Sequence, residues 1–433
     1  MTTSVLRLPS LALAPLLALA ACDDPGRSTA TTTTTTTTTA DTIGGDTSPA
    51  GCANHAQCAG DPAKPFCNLA SGACEAPPRG NLIGTGDGTP ASVTLVELYR
   101  PRNPVEAVDL EFHPDRNELW VLNRPFEVQG ICSQSNFNSA RCRSMESSTT
   151  ILFEPGTPNQ DDLTVTDDNA WHFMRRAPAL AMGALDTFAT CGEAFTGNFE
   201  DDPITYIGPT LWSADLEIYG VTPPGGNGSH LDMLHETPWC MGIAHERDNV
   251  YWLFNGEHGA IDRVDFHEDH GPGADDHSDG EVHRYIKGAL TRLPSVPSGL
   301  VFHHGDNHLY IVDSGSNRVI KMDTRSGTAG GALDEQWEEL AASGQVRNST
   351  VVELVLPGVM TQPSGLAIHD DVMYVSDHQT SRIHAFDRAT GAQLRTLDTG
   401  LPAGTLAGLE VGPDDKLYFT DMLGGAVYRI DPK

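Results

Sequence analysis

Pro297-Ser298-Gly299-Leu300 leads to His303, then to Leu309-Tyr310-Ile311-Val312-Asp313, then to Arg318-Val319-Ile320-Lys321-Met322-Asp323. The same order returns as Pro363-Ser364-Gly365-Leu366, His369, Met373-Tyr374-Val375-Ser376-Asp377 and Arg382-Ile383-His384-Ala385-Phe386-Asp387. It returns again as Gly408-Leu409, Gly412, Leu417-Tyr418-Phe419-Thr420-Asp421 and Val427-Tyr428-Arg429-Ile430-Asp431. In each copy the two closing aspartates stand ten residues apart. A weaker copy runs from Gly242 through Tyr251 and Asn255 to Asp265. A fifth passes Asp109, His113, Leu119-Trp120-Val121-Leu122 and Asn123.

Short β-branched and aromatic runs separated by turn residues are the strand signal, so each copy reads as a sheet of about four strands. A period of roughly 45–65 residues fits the blades of a propeller, which bury their faces against one another around an axis. The expected fold is therefore all-β, a six-bladed β-propeller over residues 90–433, with five or seven blades left open by a divergent stretch near 160–235. The other blades fall near 105–155, 240–290, 297–356, 363–400 and 407–433. The last copy ends at Lys433 after its third strand. Ser92 to Tyr99 resembles the fourth strands at Thr350–Val355 and Ala392–Leu397. It is expected to complete the last blade and remove two open edges.

The repeat resembles NHL-type six-bladed propellers, well from residue 240 onward and loosely over 92–155. That resemblance implies a fold that hosts lyases, lactonases, scaffolds and ligand binders. There is a more distant similarity to peptidyl-hydroxyglycine lyases, which would imply zinc histidines before strand one. At those positions this chain has Ser298, Ser364 and Met241. Similarity to gluconolactonase propellers implies a calcium site of Glu, Asn and Asp near the channel, for which Asn255, Glu257 and Asp313 are of the right types.

Ahead of the propeller, Met1 to Cys22 reads as an export signal. Arg7 supplies the basic start and Leu11 to Ala20 a short apolar run, too short to span a bilayer. Leu19-Ala20-Ala21-Cys22 resembles the lipobox of bacterial lipoproteins, which implies acylation of Cys22 and attachment to an inner or outer membrane. Residues 23–50, with nine consecutive threonines at 31–39, hold too few apolar side chains to fold and read as a tether. Cys52, Cys58, Cys67 and Cys74 crowd residues 51–78 and read as a disulfide module, with three pairings open and a zinc site as competitor. Cys132 with Cys142, and by elimination Cys191 with Cys240, complete the expected disulfides. A formal charge of −31 argues against nucleic acid as a partner and suits cations or plain solubility.

Two faces carry candidate chemistry. The channel face is expected to collect Asn255, Glu257, His258, Asp313, Asp377, His378 and Asp421, a ring of oxygen and imidazole donors. The competing reading is that aspartates at strand ends accept backbone N–H bonds in the following turn. The opposite face gathers His113, His245, His303, His304 and His369, repeated at the end of strand one as space-filling residues. Beside them runs the loop from His267 to Glu281. There Asp269, His270, Asp275, Asp276, His277 and Asp279 form the best metal candidate, suited to Ca²⁺ by the carboxylates or to Zn²⁺ by the histidines. A solvated acidic loop is the alternative. No Walker loop or dinucleotide fingerprint occurs, and Asp313-Ser314-Gly315-Ser316 reads as a turn rather than a nucleophile elbow. The expected role is a membrane-anchored module binding a small molecule or protein, with a divalent cation. The alternative is a metal-dependent lyase or lactonase-like enzyme acting at the central channel.

Overall fold

The computed structural model describes residues 51–433 apart from 53–54, 59, 61–62, 65, 69–70, 127–144, 199–205 and 275. The export signal, the tether, Cys22, Cys132, Cys142 and Asp275 lie outside the described residues. Among the described residues six sheets surround an axis, five of four antiparallel strands and one, blade 3, of six. Blade 1 contains Glu106–Phe112, Glu118–Arg124, Ser148–Phe153 and Asp161–Val165. Blade 2 contains Ala179–Met182, Thr187–Cys191, Thr210–Ser213 and Asp232–Met233. Blades 3, 4 and 5 open with Cys240–Arg247, Leu300–His303 and Pro363–His369.

The second strands read as unbroken apolar runs because neighbouring blades cover both of their faces. Every residue of Val250–Asn255 and of Val372–Asp377 is buried. The glycine in the Pro-Ser-Gly repeat has a packing cause. A Cβ on Gly365 would lie 2.0 Å from the Ala407 carbonyl oxygen, and one on Gly299 would lie 2.7 Å from the Leu366 nitrogen. Innermost strands thus approach backbone to backbone, which only glycine permits. The channel is narrow as a result.

Blade 6 consists of Leu406–Val411, Leu417–Asp421 and Ala426–Pro432, closed by Val93–Tyr99. Leu95 pairs with Ile430 and Thr94 with Asp431 in an antiparallel ladder. Preceding it, Arg79 bonds Asp371 and Asp387. Leu82 and Ile83 enter the core shared by blades 5 and 6. The disulfide module before Arg79 is pinned by Cys52–Cys67 and Cys58–Cys74, one of the three open pairings. Cys191–Cys240 also forms and ties blade 2 to blade 3.

One segment departs from the spacing. Residues 328–347 fall within the fourth copy in sequence, yet Thr328–Gly331 and Ala342–Arg347 join the outer edge of blade 3. Val282 pairs in parallel with Ser343, and His283 with Gly344. The exposed edge of Glu281–Tyr285 offers unpaired backbone groups, and this hairpin covers them. Among the described residues no helix is long and apolar enough to cross a membrane.

Candidate functional site

Hydrogen bonds tie the channel-face aspartates to separate backbone segments, for Asp313 and Asp377 mainly the one before their blade's first strand and for Asp421 the following turn. Asp313 accepts the Thr291 N–H at 2.9 Å through Oδ1 and Arg318 Nε at 2.9 Å through Oδ2. Asp377 accepts the N–H groups of Thr361 and Gln362 at 2.9 and 3.1 Å. Asp421 accepts the Gly424 N–H at 2.7 Å. Asn255 Oδ1 accepts the His258 N–H at 3.0 Å, while its amide donates to Asp262 at 2.7 Å. His378 Nδ1 meets the Leu406 carbonyl oxygen at 2.8 Å. Glu257 is exposed. None of the seven belongs to a group able to share one ion among the described residues.

The channel holds a different set, which no motif in the sequence marks. A cavity of about 30 Å³, room for one or two waters, is bordered by Asp109, Glu111 and Glu410. They alternate with buried apolar residues on first strands, so locally they resemble ordinary solvent-facing positions. Asp109 accepts the N–H groups of Leu110 and Leu180, both at 3.0 Å. Glu111 accepts that of Met182 at 2.6 Å. Desolvation lifts the Asp109 carboxyl to about 7. It also raises Glu111 and Glu410, which repel each other's charge. These groups keep protons in the folded chain over a range where the unfolded chain has lost them. The unfolded state then binds fewer protons, so they lower stability progressively as pH climbs from about 4 through about 7. Urea midpoints measured across that range are expected to fall toward high pH, and Glu410→Gln is expected to flatten the slope. An unchanged slope in the variant would remove these carboxyls as its cause.

The metal-loop candidates separate into two kinds. Asp269 accepts the Gly271 N–H at 2.8 Å, and Asp276 accepts the N–H and hydroxyl of Ser278 at 3.1 and 2.8 Å. Both are spent on turns of their own loop. His270, His277 and Asp279 instead turn inward. They meet Asp232, which begins the short outermost strand of blade 2 and whose side chain is fully buried. His277 Nδ1 lies 2.8 Å from Asp232 Oδ1. His270 Nδ1 lies 3.9 Å from Asp232 Oδ2, and His270 Nε2 lies 3.5 Å from Asp279 Oδ1. Asp232 Oδ2, His270 Nδ1 and Asp279 Oδ1 are buried and form no hydrogen bond. Burial raises the Asp232 carboxyl, against the pull of His277. The loop is carried there by backbone bonds from Gly273 N–H to the His230 carbonyl and from His270 N–H to that of Leu231.

A second group adjoins the first. His235, His277 and Glu338 each offer an atom within 4.8 Å of the others. His235 Nδ1 is 3.1 Å from Glu338 Oε2. Glu338 comes from the blade-3 hairpin, which also reaches Tyr206 through Glu335 and Lys287 through Asp334. His172 stands beside His235, with ring centres 5.8 Å apart. Burial holds it neutral, with its pKa pushed down to about 3.

A buried ion pair supports this region. Arg284 grips Asp262 at 2.7 and 3.0 Å and donates to the Glu236 carbonyl at 2.9 Å. Trp337 N–H donates to Glu236 Oε1 at 2.7 Å. The backbone beside His235 is thereby fixed from two sides. Asp232, His235 and Glu338 were not candidates in the sequence. They lie in the divergent segment and in the hairpin that changes blades, so no local spacing joins them to the loop.

No family model and no curated protein matches this chain. Among solved structures, an auxiliary nutrient binding protein from Bacteroides thetaiotaomicron is 11% identical over 75% of this chain and 68% of its own, with a TM-score of 0.46. A streptogramin B lyase is 11% identical over 79% and 98%, at 0.42. A luciferin-regenerating enzyme is 12% identical over 78% and 95%, at 0.44. Likenesses this remote assign no activity.

Proposed function

We propose that this chain is an exported, membrane-anchored propeller that acts as a binding module for a small molecule or protein and carries a divalent cation on Asp232, His270 and Asp279. The anchor rests on Cys22 in its lipobox-like setting, followed by the tether. The cation rests on one observation, the three buried polar atoms that face one another without a hydrogen bond. Buried polar atoms normally find partners, because an unmet one costs about 1–3 kcal/mol. A cation would satisfy all three. Imidazole beside two carboxylates favours zinc over calcium, which prefers six to eight oxygens. Catalysis at the central channel has less support, since the cavity there admits only water-sized occupants.

The test is metal analysis of the purified full chain after stripping and reloading with zinc. His270→Ala is expected to weaken one bound equivalent by at least about 100-fold, as removing a ligand exceeds the roughly 10–100-fold cost of removing a ligand's support. Zinc uptake identical in this variant and the wild type would sink the reading.

A further inference from the structure

We infer that His235, His277 and Glu338 form a second zinc site, which clasps the hairpin of residues 328–347 onto the outer edges of blades 2 and 3. It uses different ligands from the first site and does not require an ion there. Zinc bonds of about 2.0–2.1 Å at tetrahedral angles place ligand atoms roughly 3.3 Å apart. The 3.1 Å between His235 Nδ1 and Glu338 Oε2 is already close to that separation. The His235 and His277 rings are 5.5 Å apart, and each of the three residues offers a ligand atom within 4.8 Å of the other two.

Asp232 supplies support behind the site. Its Oδ1 holds His277 Nδ1 at 2.8 Å. A carboxylate bonded to the imidazole is the usual support behind a ligating histidine. His235 is fixed in turn, because its own N–H donates to Glu338 Oε1 at 2.5 Å. Arg284 and Trp337 immobilise the adjoining Glu236. The three side chains are 12–17% exposed.

The ligands come from three segments that approach only in the folded chain. His235 follows blade 2, His277 lies in the loop of blade 3, and Glu338 is carried by the hairpin. An ion shared among them would couple hairpin docking to zinc. Trp337, next to Glu338, is 42% exposed and reports on docking.

The experiment uses the metal-stripped full chain, titrated with zinc and digested with chymotrypsin. The wild type is expected to bind two equivalents. Zinc at about ten times its dissociation constant should slow cleavage after Trp337 roughly tenfold, since ligand binding depletes the open form in that proportion. Glu338→Gln should lose one equivalent and the protection together. His270→Ala should lose the other equivalent and keep the protection. His235→Asn serves as an independent variant, and melting curves confirm that each remains folded. Full zinc binding by folded Glu338→Gln and His235→Asn, or cleavage indifferent to zinc in the wild type, overturns the clasp. Protection retained by a wild type binding a single equivalent, insensitive to His270→Ala, overturns only the first site.

Discussion

Removing Val93–Tyr99 is expected to abolish the cooperative fold of the propeller. This strand supplies the fourth position of blade 6 and pairs with its last strand from Val93–Pro432 to Tyr99–Val427. Val93 is buried in the core between blades 5 and 6, with Leu95 packed against it. Leu98 and Tyr99 pack against the core between blades 6 and 1. Burying a large apolar side chain contributes about 1.5–3 kcal/mol, an upper estimate for partly covered ones. Four such residues together rival the roughly 5–15 kcal/mol of net stability of a typical domain. The deletion also exposes a long strand edge, an aggregation site. Denaturant titration followed by near-ultraviolet circular dichroism checks this. A deletion variant that still unfolds in one sharp transition near the wild-type midpoint would refute the closure. Reattaching residues 91–100 behind Lys433 through a short Gly-Ser linker should restore the fold, because the strand's place matters and its position in the chain does not.

Replacing both Cys191 and Cys240 by alanine is expected to cost about 4 kcal/mol. The bond closes a loop with a sequence separation of 49 residues, and loop-closure entropy gives about that value, within a range of roughly 2–5 for native disulfides. Both sulfurs are fully buried between blades 2 and 3. The enclosed segment contains Asp232 and His235, and among its described residues the blade-2 strands are only Thr210–Ser213 and Asp232–Met233. The double variant should therefore lose zinc affinity as well as stability. Urea midpoints measured with and without reductant provide the check. A shift below about 0.5 kcal/mol would show that blade packing alone holds the segment.

The aspartates of the repeat were legible as positions because they close a local hairpin. Asp313 faces Arg318 and Asp377 faces Arg382 in the strand-two to strand-three pairing, a contact within six residues of sequence. Their main bonds are not local, since Asp313 accepts from Thr291 and Asp377 from Thr361 and Gln362 rather than from the following turn. Arg318 does pair with Asp313, but Arg382 turns to Asp398, a choice set by the neighbouring outer strand. The acidic loop was legible as a cluster and not as a site. Crowding in sequence does not say which carboxylates bend back on their own turns, as Asp269 and Asp276 do.

The sequence by itself determined five blades, their order and the closing strand, and left the divergent second blade open. Each depends on short-range alternation and on a repeat that needs no knowledge of distant contacts. Only the tertiary structure decided which side chains share a site. His277 meets Asp232 across 45 residues, and His235 meets Glu338 across 103. The hairpin carrying Glu338 leaves the fourth copy to cap the third because an open strand edge there offers backbone hydrogen bonds. Such a docking is a property of surfaces after folding, and no periodicity along the chain encodes it.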